Sequence, residues 1–121
     1  MRVYTLASFI KQSLIFIRSL FTDEERHMLG VIAKLNVKEG SEAAFEEVML
    51  DLAAKVNANE PGCHLYKLCK DGDGNYVVME LYEDEAAMAA HGQSEHFKAA
   101  GAGFKGLMGG APEITRMDVV G

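Results

Sequence analysis

The segment from Tyr76 to Phe97 concentrates side chains that can exchange protons or donate hydrogen bonds. A carboxylate such as that of Glu80, if enclosed in a pocket, has its pKa raised by desolvation and becomes suited to proton transfer. The same carboxylate could instead form a structural ion pair with Lys34 or Arg116, and the sequence leaves both interpretations open. Tyr82 could donate a hydrogen bond to an oxyanion, although strand tyrosines more often pack with the hydroxyl at the surface.

Two histidines follow in the next part of the same segment, His91 and His96. Five residues along one continuous helix correspond to roughly 500°, or about 140° around the axis, so the two rings would not share a face. A break in the helix at Gly92 could change that geometry. This spacing is a poor match to a metal site, and His64 beside Cys63 is no better. We therefore expect no bound metal.

Alternating and helical patterns predict the elements that carry these residues. The segment 29–38 alternates as a strand, Ser41 can cap a helix that ends before Pro61, and 64–70 reads as a second strand. The Asp71–Gly74 turn predicts a hairpin to a third strand, Tyr76–Tyr82. Asp84 and Ser94 can cap two further helical pieces, and 112–120 reads as a last strand.

The order strand, helix, strand, strand, helix, strand predicts an α+β fold of the ferredoxin-like βαββαβ type with an antiparallel sheet. Helices then cover one face of the sheet. We expect the apolar set of the third strand to lie under the helices: Val77, Met79 and Leu81. The other set should line the open face, where a second sheet would enclose a pocket: Tyr76, Val78, Glu80 and Tyr82.

Length and composition indicate one soluble domain. The chain has 121 residues and a net charge of −6, which disfavours nucleic acid because phosphate binding needs a clustered basic surface. Cys63 and Cys69 would stand roughly 20 Å apart along a strand, too far for a disulfide. Free thiols are typical of a reducing compartment, so a cytoplasmic location is expected.

Residues 1–27 differ from the domain expected at 28–121. They contain Arg2, Lys11 and Arg18, no acid before Asp23, and apolar residues at helical spacing, which predicts an amphipathic helix. The apolar run is too interrupted to span a bilayer. Packing against protein is favoured over contact with a membrane surface, and an upstream extension with Met28 as the natural start is a third possibility.

Several short motifs follow one another along the chain: Val37-Lys-Glu-Gly40, Glu60-Pro-Gly-Cys63 with Tyr66, Glu80-Leu-Tyr-Glu-Asp-Glu-Ala-Ala87, His91, and Ser94-Glu-His-Phe97. In this order and spacing they resemble the antibiotic biosynthesis monooxygenase family, which includes quinol monooxygenases. The resemblance covers roughly 29–119. It implies a homodimer that forms a dimeric α+β barrel, with one cavity per subunit between sheet and helices.

For the enzymatic members, the resemblance also implies oxidation of a quinol or polyphenol by O₂ without a cofactor. Such chemistry needs a base, donors for an oxyanion and a dry pocket, and His91 is the first choice for the base. The catalytic candidates are His91, Glu80, Tyr82 and His96. The substrate-binding candidates are Asn36, Tyr66, Tyr76 and Val78.

Haem degradation, found in some relatives, is disfavoured. The family often has tryptophan where Tyr82 stands, whereas this chain has none, and Gly101 stands where the haem-degrading relatives carry a histidine. Two alternatives to oxygenation remain: an isomerase that acts on a small ketone through an enediolate, and a non-catalytic stress-response protein that binds a small ligand in the same cavity.

Overall fold

The computed structural model describes residues 27–121. Apart from His27, the amphipathic helix predicted for residues 1–27 lies outside the described residues. Within the described part, no helix is both long enough and apolar enough to cross a membrane.

Residues 27–121 form four strands and three helices in the predicted order, with the second helical region divided in two. The elements are β1 (Leu29–Leu35), α1 (Glu42–Asn59), β2 (Cys63–Lys70), β3 (Tyr76–Tyr82), α2 (Glu85–Gln93), α3 (Glu95–Gly103) and β4 (Glu113–Asp118). This arrangement confirms the α+β, ferredoxin-like prediction.

The strands form one antiparallel sheet in the order β2-β3-β1-β4. The hairpin predicted at Asp71–Gly74 joins β2 to β3, and Gly74 adopts a φ of 84°, which favours glycine. At the start of β2 the register shifts between Cys63 and Leu65, as at a β-bulge. Because of this shift, Cys63 and Tyr66 both lie on the helix side, opposite Tyr82 and Glu80.

The helices cover the face of the sheet opposite to the one predicted for β3. Tyr76, Val78 and Tyr82 are buried beneath them, whereas Met79 is 40% exposed on the open face. The apolar residues Val77 and Leu81 share that open face with Met79, so the expected assignment of the two faces is wrong. The polar residues of β3 belong to the interior because a pocket lies between sheet and helices.

The apolar stripe of α1 forms the centre of the core, as its spacing predicts. Its buried members are Phe45, Met49, Leu52, Ala53 and Val56. They pack on the helix side of β1 and β3, where Ala33 and Val78 are also buried. Burying a side chain of this size contributes about 1.5–3 kcal/mol, so this stripe fixes α1 across the sheet.

Side-chain caps fix the start of the two short helices. The Asp84 carboxylate accepts from the backbone N–H of Ala87 at 2.9 Å and the Ser94 hydroxyl accepts from Phe97 N–H at 3.2 Å, as predicted. Ser41 occupies the N-cap position of α1, although its side chain makes no capping hydrogen bond.

Candidate active site

A mostly apolar cavity of about 420 Å³ lies between the sheet and the helices α1, α2 and α3. The sheet contributes Val31, Ala33, Val78, Glu80 and Tyr82 to its wall. The helices contribute Phe45, Met49, Leu52, Met88, His91, Phe97 and Gly101. No lysine or arginine occurs among the described residues that line it, so the cavity suits an uncharged ligand rather than an anion.

Glu80 and Tyr82 form a hydrogen-bonded pair on the wall. Two residues apart on β3, they project from the same face, and the Tyr82 hydroxyl donates to Glu80 Oε1 at 2.5 Å. Burial raises the pKa of Glu80, while this hydrogen bond and nearby His91 oppose the rise. Burial, reinforced by the Glu80 charge, raises the pKa of Tyr82, so the phenol stays protonated and remains a donor.

The cations expected as possible partners of Glu80 lie elsewhere. Arg116 forms an ion pair with Glu85, at the start of α2. Lys34 pairs with Val77 in the β1–β3 register and therefore projects from the open face. The structural ion pair considered from the sequence is thus replaced by the pair with Tyr82.

His91 is held within an aromatic cage at the end of α2. Its side chain is 8% exposed, and its ring centroid lies 5.2 Å from that of Tyr66, 5.6 Å from Tyr82 and 4.9 Å from Phe97. The imidazole lines the cavity together with Glu80 and Tyr82. The convergence of these three groups on one pocket is the arrangement that catalysis requires.

A carboxylate that the sequence reasoning did not select, Glu60, orients both histidines. Glu60 Oε2 lies 3.0 Å from His91 Nδ1 and 2.5 Å from His96 Nε2. With the Glu60 oxygen as the acceptor, these two contacts correspond to the tautomers that carry a proton on His91 Nδ1 and on His96 Nε2. His91 is therefore held with Nδ1 protonated, which leaves Nε2 as the nitrogen that can accept a proton.

The prediction that His91 and His96 lie on separate faces is wrong because they do not share one helix. Helix α2 ends at Gln93 and α3 begins at Glu95, with Ser94 at the corner. The Ser94 hydroxyl donates to the His91 carbonyl at 2.7 Å while its oxygen caps α3. This corner turns His96 back towards Glu60, so the reason given for excluding a metal pair no longer applies.

The backbone places Glu60 at the junction of α1 and β2. Its N–H donates to the Val56 carbonyl at 2.9 Å, and its carbonyl accepts from Cys63 N–H at 3.1 Å. Pro61 follows directly and prevents α1 from continuing. The only signal for Glu60 in the sequence was its place in the Glu60-Pro-Gly-Cys63 motif.

The substrate-binding candidates divide between two places. Tyr66 and Val78 line the cavity with the catalytic candidates, and burial raises the pKa of Tyr66, which keeps it a hydrogen-bond donor. Asn36 and Tyr76 instead line a separate, more open and more polar depression of about 520 Å³ beside the β2–β3 turn. The structure therefore does not bring these two residues to the cavity.

Cys63 adjoins the site without becoming a nucleophile. Burial, with the nearby Glu60 charge, raises the pKa of its thiol to about 11. Both Cys63 and Cys69 are free, as their predicted separation indicates.

Fold and cavity together define a ferredoxin-like domain with a mostly apolar cavity between its sheet and its helices. The chain belongs to the antibiotic biosynthesis monooxygenase family, whose model matches residues 28–103. The family resemblance noted from the motifs is thereby confirmed. No curated protein matches the chain by sequence.

Solved structures of similar proteins share this architecture. One from Caulobacter crescentus CB15, named as a candidate antibiotic biosynthesis monooxygenase, is 44% identical with a TM-score of 0.77, and the match covers 88% of this chain and 99% of that one. A Nitrosomonas europaea protein with a similar name is 21% identical, with a TM-score of 0.73 over 78% of this chain and 91% of its own. A Mycobacterium tuberculosis protein is 22% identical, with a TM-score of 0.72 over 78% and 96%. The last two matches support the fold alone.

Proposed function

We propose that this protein is a cofactor-independent monooxygenase that oxidises a neutral quinol or polyphenol with O₂. The observation that carries the proposal is His91: its Nδ1 is held by Glu60 at 3.0 Å, and its ring lies on the wall of an apolar cavity. A base in that position can take a phenolic proton through Nε2.

The proposed reaction uses the cavity in three ways. Proton transfer to His91 converts the bound phenol into an electron-rich phenolate, and the Tyr82 or Tyr66 hydroxyl donates to its oxygen. The phenolate carbon forms a bond to O₂, and the apolar wall excludes water from the peroxy intermediate. When the O–O bond breaks, one oxygen atom stays on the ring and the other leaves as water, so the substrate supplies all the electrons and a quinol becomes a hydroxyquinone.

The lining of the cavity supports a neutral aromatic substrate over a phosphorylated ketose. A phosphate or carboxylate group needs lysine, arginine or a comparable donor set, and the described lining offers Glu80, two tyrosines and His91 instead. Glu80 would also repel an anion. The isomerase alternative with a phosphorylated substrate is therefore disfavoured.

A second copy of the chain is the proposed partner for the open face of the sheet. That face presents an apolar set formed by Ile32, Leu65, Val77, Met79, Leu81 and Met117. Met79 and Met117 are 40% and 44% exposed, and every residue of β4 is exposed. Apolar area of this kind on a small domain is typical of an interface, and pairing two such sheets gives the dimeric α+β barrel.

Oxygen uptake with menadiol and a panel of related quinols tests the activity. Protein and quinol are mixed anaerobically, air is admitted, and uptake is compared with buffer alone. The expected result is excess uptake that falls about 10²- to 10⁴-fold in His91→Ala, the range that general acid–base catalysis contributes. His64→Ala, at a histidine 43% exposed outside the cavity, is the matched control and should keep the wild-type rate. No excess uptake with any quinol would refute the proposal.

A further inference from the structure

We propose that Glu60, His91 and His96 form a binding site for a divalent late-transition-metal cation such as Zn²⁺. One oxygen and two imidazole nitrogens from these residues all lie within 4.8 Å of one another. Two histidines and one carboxylate are a ligand set that such cations prefer.

The distances between the ligand atoms are close to those of an occupied site. In a tetrahedral zinc site with bonds of about 2.0–2.1 Å, neighbouring ligand atoms stand roughly 3.3 Å apart. Glu60 Oε2 now lies 3.0 Å from His91 Nδ1 and 2.5 Å from His96 Nε2. These two gaps must each widen by less than about 1 Å, which small side-chain rotations provide, and the two imidazole nitrogens already lie within 4.8 Å of each other.

The charge and burial of the cluster also favour a cation. The three side chains are only 11%, 8% and 16% exposed, for Glu60, His91 and His96 in turn. Within residues 27–121, the Glu60 carboxylate has the two imidazoles as its hydrogen-bond partners and no lysine or arginine. A buried carboxylate that is hydrogen-bonded only to imidazole N–H groups would be stabilised further by the full positive charge of a cation bound beside it.

The backbone holds the three ligands before any cation arrives. Glu60 is fixed by the end of α1, and His91 and His96 flank the corner that Ser94 ties together with two hydrogen bonds. Preorganised ligands reduce the conformational entropy lost on binding. The remaining coordination positions would be left to water.

Occupation of this site changes the role of His91, a consequence that rests on the proposed function. A cation on Nδ1 displaces the proton that Glu60 now holds there, and a neutral ring then carries its proton on Nε2. The ring can no longer accept a proton from a phenol. Zn²⁺ is therefore expected to inhibit the oxygenase rather than to support it.

Titration with Co²⁺, a spectroscopic substitute for Zn²⁺, tests the site on the tag-free, chelator-treated full-length chain. We expect visible ligand-field absorption that saturates at one Co²⁺ per chain and disappears on addition of Zn²⁺. His96→Ala removes a direct ligand and should weaken binding at least about 100-fold, beyond the loss caused by changing a residue that only orients a ligand. The matched control His64→Ala should bind as the wild type does.

The outcomes separate this inference from the proposed activity. No ligand-field absorption, or equal Co²⁺ affinity in His96→Ala and wild type, would overturn the metal site. Far-UV circular dichroism shows whether His96→Ala is folded, and His96→Gln provides a second variant if it is not. Binding that depends on His96, in a protein that consumes no O₂ with any quinol, would support the metal site and refute only the oxygenase.

Discussion

Replacing Glu60 by glutamine gives a sharp test of how His91 is oriented. The carboxylate accepts from the two imidazoles, whereas an amide offers one accepting oxygen and a donating NH₂ group. If the amide oxygen keeps the hydrogen bond from His96 Nε2, which is the closer of the two ring nitrogens at 2.5 Å, the NH₂ group faces His91 Nδ1. The proton of the ring then moves to Nε2, and the base is lost.

The surroundings of Glu60 determine how large the losses of stability and of catalytic rate should be. Glutamine removes one charge-assisted hydrogen bond in a site where Glu60 is 11% exposed, which costs about 1.5–3 kcal/mol of unfolding free energy. The wrong tautomer should lower kcat by about 10²- to 10⁴-fold, the share that a positioned base supplies. Substrate affinity should change less, because Glu60 does not line the cavity.

Three measurements check this prediction. Nitrogen-detected NMR reports the tautomer of His91 directly, denaturant unfolding gives the loss of stability, and oxygen uptake gives the loss of rate. Asp51→Asn is the matched control, because it makes the same chemical change in an exposed ion pair with Lys55 and should cost under about 0.5 kcal/mol. A Glu60→Gln protein in which His91 keeps its proton on Nδ1 and turns over at the wild-type rate would refute the orienting role.

Three further results are expected. Burial raises the pKa of Glu80 in the folded protein, so the stability associated with its protonated form is lost as pH rises through that pKa. Glu80→Gln still accepts the hydrogen bond from Tyr82, and its Tm should therefore rise relative to that of the wild type between pH 4 and pH 8. A difference in Tm that does not change with pH would contradict this prediction. Leu52→Ala on the buried side of α1 should cost about 2–5 kcal/mol in denaturant unfolding, whereas Leu50→Ala, 56% exposed on the same helix, should stay within about 0.5 kcal/mol, and equal costs would refute the packing described. Met79→Glu on the open face of the sheet should halve the mass measured by sedimentation equilibrium, while Leu50→Glu leaves it unchanged. The same mass for both variants and the wild type would exclude a dimer formed through the open face.

The element order was predictable because each boundary has a local chemical signal. Asp71–Gly74 favours a tight turn, Pro61 ends a helix, and Asp84 and Ser94 cap helices with their own side chains. These preferences act within a few residues and do not depend on the rest of the fold.

The face of β3 was predicted wrongly because both of its faces contain apolar residues. The apolar set Val77, Met79 and Leu81 was assigned to the core, on the assumption that the less polar face is always covered by helices. Here the covered face encloses a pocket, and the pocket needs Glu80 and Tyr82 inside. Only the register with β1 and the position of the helices resolve that choice, and neither is local in the sequence.

The Glu60 cluster was missed because its members are distant in sequence and converge only through tertiary structure. Glu60 lies 31 positions from His91 and 36 from His96. On a continuous helix the two histidines would not share a face, and the sequence offers a break at Gly92 as the alternative, whereas the two helices in fact divide at Ser94. Ser94 is correctly predicted as a helix N-cap. Because an N-cap marks the start of a new helix, that prediction already implies a change of chain direction between the two histidines.

The corner at Ser94 also determines where this chain can change length. One residue inserted between His91 and Ser94 would advance the helix by about 100° and displace the Ser94 hydroxyl from the His91 carbonyl, which moves His96 away from Glu60. The exposed Asp71–Gly74 turn has no such coupling, since added residues there extend a hairpin into solvent. Fusion tags and reporter loops should therefore be tolerated at the hairpin, whereas the six-residue interval from His91 to His96 must be kept at its present length.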